Sequence, residues 1–427
     1  MINRKNPPAT SLIAPLPFLT PEKSVLSNGV PVYIVDGGTE DIIKVEILFE
    51  AGGYNEPKPL VALSTATLLK SGTKTKNQAT ISETLDFFGA FLQIDAQKDI
   101  ISASVFVLKK HLEPILELFK EIIIEPVFAN KELELFLQNQ KNQHITSNSK
   151  VAHLARRHFV NQLFGNNHPY GQIANTTDFD KVSREDLLTF HQQWLQPQTI
   201  SIIVSGKLPS NISELIERHF GANQWLMKEN LQPEPFFQFS ENKRKKLLIP
   251  KEDALQSAIR IGKRTINRNQ AAHHKLVITN ALLGGFFGSR LMRNIRQDKG
   301  FTYGINSGLV SLVRDGYFFV GTEVGVDVCK AAIDQIYHEM KALRTIPASP
   351  QELHTLKNYL AGNFVRLFDG PFAQAERFKE MVVFKLEPSY YNQFLLELNQ
   401  CSPETIMQTA HEYLHEDSLT EVVAGKY

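Results

Sequence analysis

The order of secondary-structure signals in the first half of this chain recurs in the second half at a nearly constant spacing. Pro126 meets Pro347 at an offset of 221, Glu132-Leu133 meets Glu352-Leu353 at 220, and Ser205-Gly206-Lys207 meets Ala424-Gly425-Lys426 at 219. Three landmarks within two residues of one another predict a duplicated domain of roughly 200 residues, the size range in which single cores are stable. The expected architecture is α+β, two homologous domains, each an antiparallel-rich sheet packed with helices. The first spans 20–222 and the second 247–427. Between them 223–246, with Pro233, Pro235 and the run Lys243-Arg244-Lys245-Lys246, reads as a linker whose charges solvate a connection.

Within each half the periodicities name the elements. Asn28-Gly29, between Ser24–Leu26 and Val30–Ile34, is the turn of a tight hairpin. Lys44 to Glu50 alternates with period two and predicts a half-buried strand. A helix is expected from about Leu60 to Lys70, and Thr80 with Glu83 reads as a capping box for another through Phe88. Ile101–Leu108 is a strand, followed by a helix whose face is Ile115, Leu118, Phe119 and Ile122 and which ends at Glu125-Pro126. In the second half Tyr317–Val320 is the matching strand and Ile333, Ile336, Tyr337 and Met340 the matching face. Ser349, Pro350 and Glu352 then supply cap, first-turn proline and capping-box partner for the next helix.

Charge excludes some functions. With 46 basic and 45 acidic residues the net charge is +1, which leaves no electrostatic footprint for nucleic acid or an anionic membrane. Cys329 and Cys401 are too few for a disulfide framework or a cysteine zinc site. No apolar run reaches a membrane span. Pro7, Pro8, Pro15 and Pro17 interrupt any signal-like stretch at the start, so the expected location is cytoplasmic, although a periplasmic chain trimmed of its signal would read the same.

Ala51-Gly52-Gly53-Tyr54-Asn55-Glu56, a helix, Ser71-Gly72-Thr73, Phe88-Gly89-Ala90 and His168-Pro169-Tyr170-Gly171 follow one another in an order and spacing similar to the first domain of the insulinase/pitrilysin metallopeptidases, the inverzincins. The resemblance runs from about Leu26 to the end and implies the two-domain fold of mitochondrial-processing-peptidase-like subunits. Active members carry H-x-x-E-H on the helix before the Gly-Thr, where two histidines one turn apart hold Zn²⁺ and the glutamate activates its water. Counted back from Gly72-Thr73, those positions are Leu63, Ala66 and Thr67, and the third ligand falls near Asn142 or Gln143. None can serve. The resemblance therefore implies no metal or other cofactor in this chain.

His411-Glu412-Tyr413-Leu414-His415 spells the unrelated H-E-x-x-H motif, but only twelve residues follow and no third ligand can approach. It reads as a helix end with solvent-facing histidines. His153, His158, His273 and His274 lack ligand spacing and read as surface or satisfied polar groups, and His144 stands beside the lost third ligand.

The second half carries Gly284-Gly285-Phe286-Phe287-Gly288-Ser289-Arg290-Leu291, then Arg296 and, seven residues on, Tyr303. By spacing alone Arg296 is a surface helix residue and Tyr303 a half-buried strand residue. The resemblance implies the family's substrate-side pair, supplied across a closed chamber to a partner's zinc. A planar guanidinium suits peptide carbonyls, and a phenol can donate to the oxyanion of amide hydrolysis. The implied function is the zinc-free subunit of a heterodimeric peptidase, with a homologous subunit bearing intact H-x-x-E-H and zinc as its partner and unfolded peptides as substrate. The alternative is a structural or peptide-binding subunit with no part in catalysis.

Overall fold

The computed structural model describes residues 21–221, 225, 237 and 245–427. Almost all of the expected linker, with Pro233, Pro235, Lys243 and Arg244, lies outside the described residues, as do Pro7, Pro8, Pro15 and Pro17.

Strands β1 (Glu22–Val25) and β2 (Pro31–Asp36) form the expected antiparallel hairpin. Gly29 takes φ +83° at its tip, and its N–H reaches the Leu26 carbonyl at 2.8 Å. With β3 (Ile42–Phe49), β4 (Phe91–Ala96), β5 (Ile101–Leu108) and β6 (Ile200–Gly206) they make a sheet ordered β1-β2-β6-β3-β5-β4, in which only β2 and β6 run parallel. The second sheet, of β7 (Lys246–Pro250), β8 (Gln256–Thr265), β9 (Ile305–Ser311), β10 (Gly316–Gly325) and β11 (Thr420–Gly425), is ordered β7-β11-β8-β10-β9. Its β7/β11 pair is parallel and the others antiparallel. Stripped of β1, the first sheet has the same order and the same directions. The repeat seen in the sequence is thus a repeat of topology.

The helices of the first half are α1 (Val61–Leu68), α2 (Gln78–Phe88), α3 (Leu112–Ile124), α4 (Asn130–Asn148), α5 (Val151–Phe164), α6 (Arg184–Trp194) and α7 (Ile212–Ile216). Those of the second are α8 (His273–Asn280), α9 (Cys329–Thr345), α10 (Pro350–Arg366), α11 (Gly370–Phe384), α12 (Tyr390–Gln400) and α13 (Pro403–Tyr413). α3 buries Ile115, Leu118, Phe119 and Ile122 as expected, each adding about 1.5–3 kcal/mol of apolar burial. Ser349 and Glu352 form the expected capping box of α10. The box expected from Thr80 and Glu83 does not form. α2 starts earlier, and its cap is Asn77, whose Oδ1 accepts the Thr80 N–H at 2.9 Å. Asn is as good a cap as Thr and lies one turn closer to the preceding loop. Cys329 and Cys401 are buried free thiols.

The chain forms two compact units, and the boundary departs from the expected second domain, 247–427. Residues 369–383 belong to the first unit, with 21–221, while 245–368 and 384–427 make up the second. The reason lies in β3. Read as half-buried because Lys44 and Glu46 alternate with apolar residues, it is buried on both faces, and Lys44 and Glu46 are 5% and 2% exposed. α11 covers that second face. Ala375, Phe378, Val382 and Val383 pack on Val35, Leu48 and Ile203, and Phe378 meets Tyr33 edge-on at 4.8 Å. Glu376 and Lys379 complete a four-charge cluster. Lys44 binds Glu46 at 2.8 Å and also Glu376, and Lys379 binds Glu46 at 2.9 Å and Glu376 at 2.6 Å. Two buried charges of opposite sign are tolerable only in such company.

Candidate functional site

The positions that would hold zinc are unable to do so. On α1 Ala66 is 1% exposed and packed in the core, Thr67 is half-buried, and Leu63 faces a cleft of about 350 Å³. On α4 Asn142 and Gln143 are exposed amides, with Asn142 accepting from Gln138 at 3.2 Å. His144 contacts Asn148 at 2.9 Å and Arg157 at 3.3 Å, and burial followed by the Arg157 charge holds its pKa below the usual value. His411 lies in the last turn of α13, but His415 is past the helix end, where its Nδ1 accepts the Asp417 N–H. The second motif is not one helical face. Among the described residues no group of three His, Cys, Asp or Glu side chains could hold a metal ion. The donor set does not fit zinc, and no step of chemistry in this chain runs through it.

His273 and His274 are buried in α8. His273 is satisfied on both ring nitrogens, by the Tyr390 hydroxyl at 3.2 Å and the Ser311 hydroxyl at 3.3 Å.

Arg296 and Tyr303 stand on the segment between α8 and β9. The chain after α8 tightens through Ala281–Gly285. Gly284 must be glycine there, since a Cβ would come within 2.6 Å of Ser307 Oγ and 2.8 Å of Leu291 Cδ1. Phe286 turns inward and stacks on Tyr359 at 4.8 Å, whereas Phe287 is 62% exposed. Arg290 is pinned by Glu352, with Nε to Oε1 at 2.9 Å. Arg296, in the helical turn Met292–Asp298, lays its guanidinium over the outer ring of Phe287 at 4.8 Å. The chain reverses at Gly300, φ +65°, with the Phe301 N–H on the Ile295 carbonyl at 3.0 Å. Thr302 Oγ1 accepts from Thr322 at 3.0 Å and donates to the Glu323 carbonyl at 2.7 Å, and the Thr322 hydroxyl also reaches the Gly304 carbonyl at 3.0 Å, so the loop is tied to β10 on both sides of its tip.

Tyr303 therefore projects from an anchored loop and is 93% exposed, with no hydrogen bond among the described residues. The half-buried strand position that spacing alone assigned to it is not what forms, because β9 begins only at Ile305.

Sequence reasoning passed over two charges in the α1 cleft. Glu56 accepts the Ala62 N–H at 3.0 Å, and burial pushes its carboxyl up to about 7. Lys98 donates to the Pro169 carbonyl at 2.9 Å, and burial lowers its pKa. The only signal was that each sits beside a glycine-rich or turn segment, which marks neither as charged and enclosed.

Two family models match, Insulinase (Peptidase family M16) over residues 33–177 and Peptidase M16 inactive domain over 181–360. A Bacillus subtilis protein described as uncharacterized zinc protease YmxG is 20% identical over 398 residues, covering 91% of this chain and 95% of its own. Helicobacter pylori YmxG, described as a non-peptidase homolog, is 24% identical over 330 residues, covering 75% and 74%. A crystal structure described as the peptidase M16 inactive domain from Pseudomonas fluorescens superposes with a TM-score of 0.86 at 22% identity, covering 96% of this chain and 99% of that one. No helix among the described residues is long and apolar enough to cross a membrane. Some relatives are described as inactive or non-peptidase, among them a Bacillus subtilis protein described as probable inactive metalloprotease YmfF. With both halves matched and the fold repeated, the chain belongs to the M16 peptidase family.

Proposed function

We propose that this chain is the zinc-free subunit of a two-chain M16 peptidase, presenting Arg296 and Tyr303 to peptide at a homologous partner's zinc site. The observation that carries the reading is the contrast between the halves. The metal positions have lost every donor, while Tyr303 is held 93% exposed on a loop braced by Thr302 and Thr322, with no role in the core. A hydroxyl carried on a braced loop and bonded to no other described side chain is available to donate to an oxyanion that forms elsewhere. Peptide handling is also supported by β4. Among the described residues no strand pairs with its outer edge, and Phe91, Gln93 and Asp95 alternate outward along it, the arrangement to which an extended peptide adds as a further strand.

The test is to mix the chain with an M16 homologue carrying intact H-x-x-E-H from the same genome. A 1:1 species by sizing, with peptidase activity neither chain has alone, is the expected result. Persistent monomers beside an already active homologue would refute the subunit role. The name non-peptidase homolog given to the Helicobacter relative favours a second reading, a peptide-binding or structural subunit. Under it the complex forms but keeps full activity when Arg296 and Tyr303 are both replaced.

A further inference from the structure

We propose that the cleft at the start of α1 binds a small apolar zwitterion, a free amino acid of the leucine type, with its α-carboxylate on Lys98 and its α-ammonium on Glu56. The inference goes beyond the subunit role and does not depend on it. The cleft, about 350 Å³, is of the size that small-molecule sites occupy. Its two charges converge. Both side chains pass beside Gly53, where an added Cβ would lie 3.4 Å from the Lys98 stem at Cδ and 3.6 Å from Glu56 Oε1, and both line the same cleft.

Neither charge is paired. Glu56 is held by backbone N–H groups of the first turn of α1, and Lys98 Nζ donates to the Pro169 carbonyl. Among the described residues they form no ion pair, act on one another at longer range, and Lys98 also feels the Asp99 carboxylate. Opposite charges drawn partly out of water and held apart leave a free energy that a ligand bearing both complementary charges recovers. Pro59, Leu60, Leu63 and Ala96 give the cleft an apolar wall, and Gln97 and Gln172 are the other polar side chains that line it. Leu60 holds φ +79°, a left-handed conformation costly for leucine, on that wall. Leu63, at the position of a lost zinc ligand, adds a hydrocarbon face. A free amino acid carries its two charges on adjacent carbons beside one apolar side chain, whereas either end of a peptide carries one charge only.

Titration calorimetry on the full chain at pH 8, where Glu56 is ionised, should show L-leucine binding 1:1 with Kd at or below about 1 mM. Leucinamide and N-acetylleucine should each bind about tenfold more weakly or worse. Lys98→Met should weaken leucine by about tenfold yet leave leucinamide unaffected, because the amide has already lost that contact. Glu56→Gln should do the same for leucine and N-acetylleucine. Leu63→Trp fills the cleft at a partly exposed site, keeps both charges and should abolish binding with the circular dichroism unchanged. No leucine binding at about 10 mM would overturn the proposal. So would binding indifferent to capping of either end, or binding that survives Leu63→Trp.

Discussion

Acidification should loosen the second unit through His273 and His274, and the size of the effect follows from their burial. Burial, then the Arg268 charge and the neighbouring histidine, push His273 down to about 3; burial and Arg268 push His274 down to about 4. Glu397, 3.9 Å from His274 Nδ1, favours the charged ring but does not offset these effects. In the unfolded chain both rings titrate near 6.5. The folded state therefore binds fewer protons. Stability is fully present above pH 6.5, falls as pH drops below it, and levels off only under the folded values of about 3 and 4. At pH 5 each ring lies about 1.5 pH units below its unfolded pKa, or about 2 kcal/mol. Discounting His274 by half for Glu397 and its partial solvent access leaves roughly 3 kcal/mol for the pair. Hydrogen exchange of the α8 amides at pH 7.5 and pH 5, in wild type and in a His273→Gln/His274→Gln double variant, isolates the effect from other titrations and from the first unit. The wild type should lose about 3 kcal/mol more protection than the variant. Equal losses would show that the rings accept protons in place and that the burial argument is wrong.

Metal analysis of the purified chain should find no stoichiometric zinc and no peptidase activity; about one tightly held zinc, lost on His411→Ala, would refute this. In an active two-chain complex Tyr303→Phe should cost roughly 2.7–4 kcal/mol in kcat, a hundredfold or more, with Tm and dimer affinity unchanged. Arg296→Ala in the same complex should also raise KM, since a guanidinium on peptide carbonyls acts in the ground state as well. Lys44→Met strands Glu46, 2% exposed, with only Lys379, and should cost about 3–5 kcal/mol by urea melts; a loss under 1 kcal/mol would mean that water reaches the cluster.

Much of the fold was legible because its signals are local. The Asn28-Gly29 turn, the faces of α3 and α9 and the Ser349/Glu352 box each depend on residues within a few positions of one another. What failed was non-local. Lys44 and Glu46 look like a solvent face until Glu376 and Lys379, more than 300 residues away, are brought against them, and no periodicity in β3 announces that. The same holds for the site. Leu63, Ala66 and Thr67 exclude metal by residue type alone, which sequence can show. The exposure of Tyr303 depends on how Thr302 ties the loop to β10, and the enclosure of Glu56 and Lys98 depends on which backbone passes over them.

The placement of β6 and α11 also dictates a timetable for synthesis. β6 sits in the middle of the first sheet, between β2 and β3, so that sheet cannot close until residue 206 has left the ribosome. Its second face then waits for α11, which ends at Phe384. At 5–20 residues per second that is a further interval of roughly 10–35 s. During it Val35, Leu48, Ile203 and the Lys44–Glu46 pair face solvent on an assembled but half-covered sheet. A nascent chain stalled between residues 206 and 370 would present that surface to chaperones, and to other nascent chains on the same message.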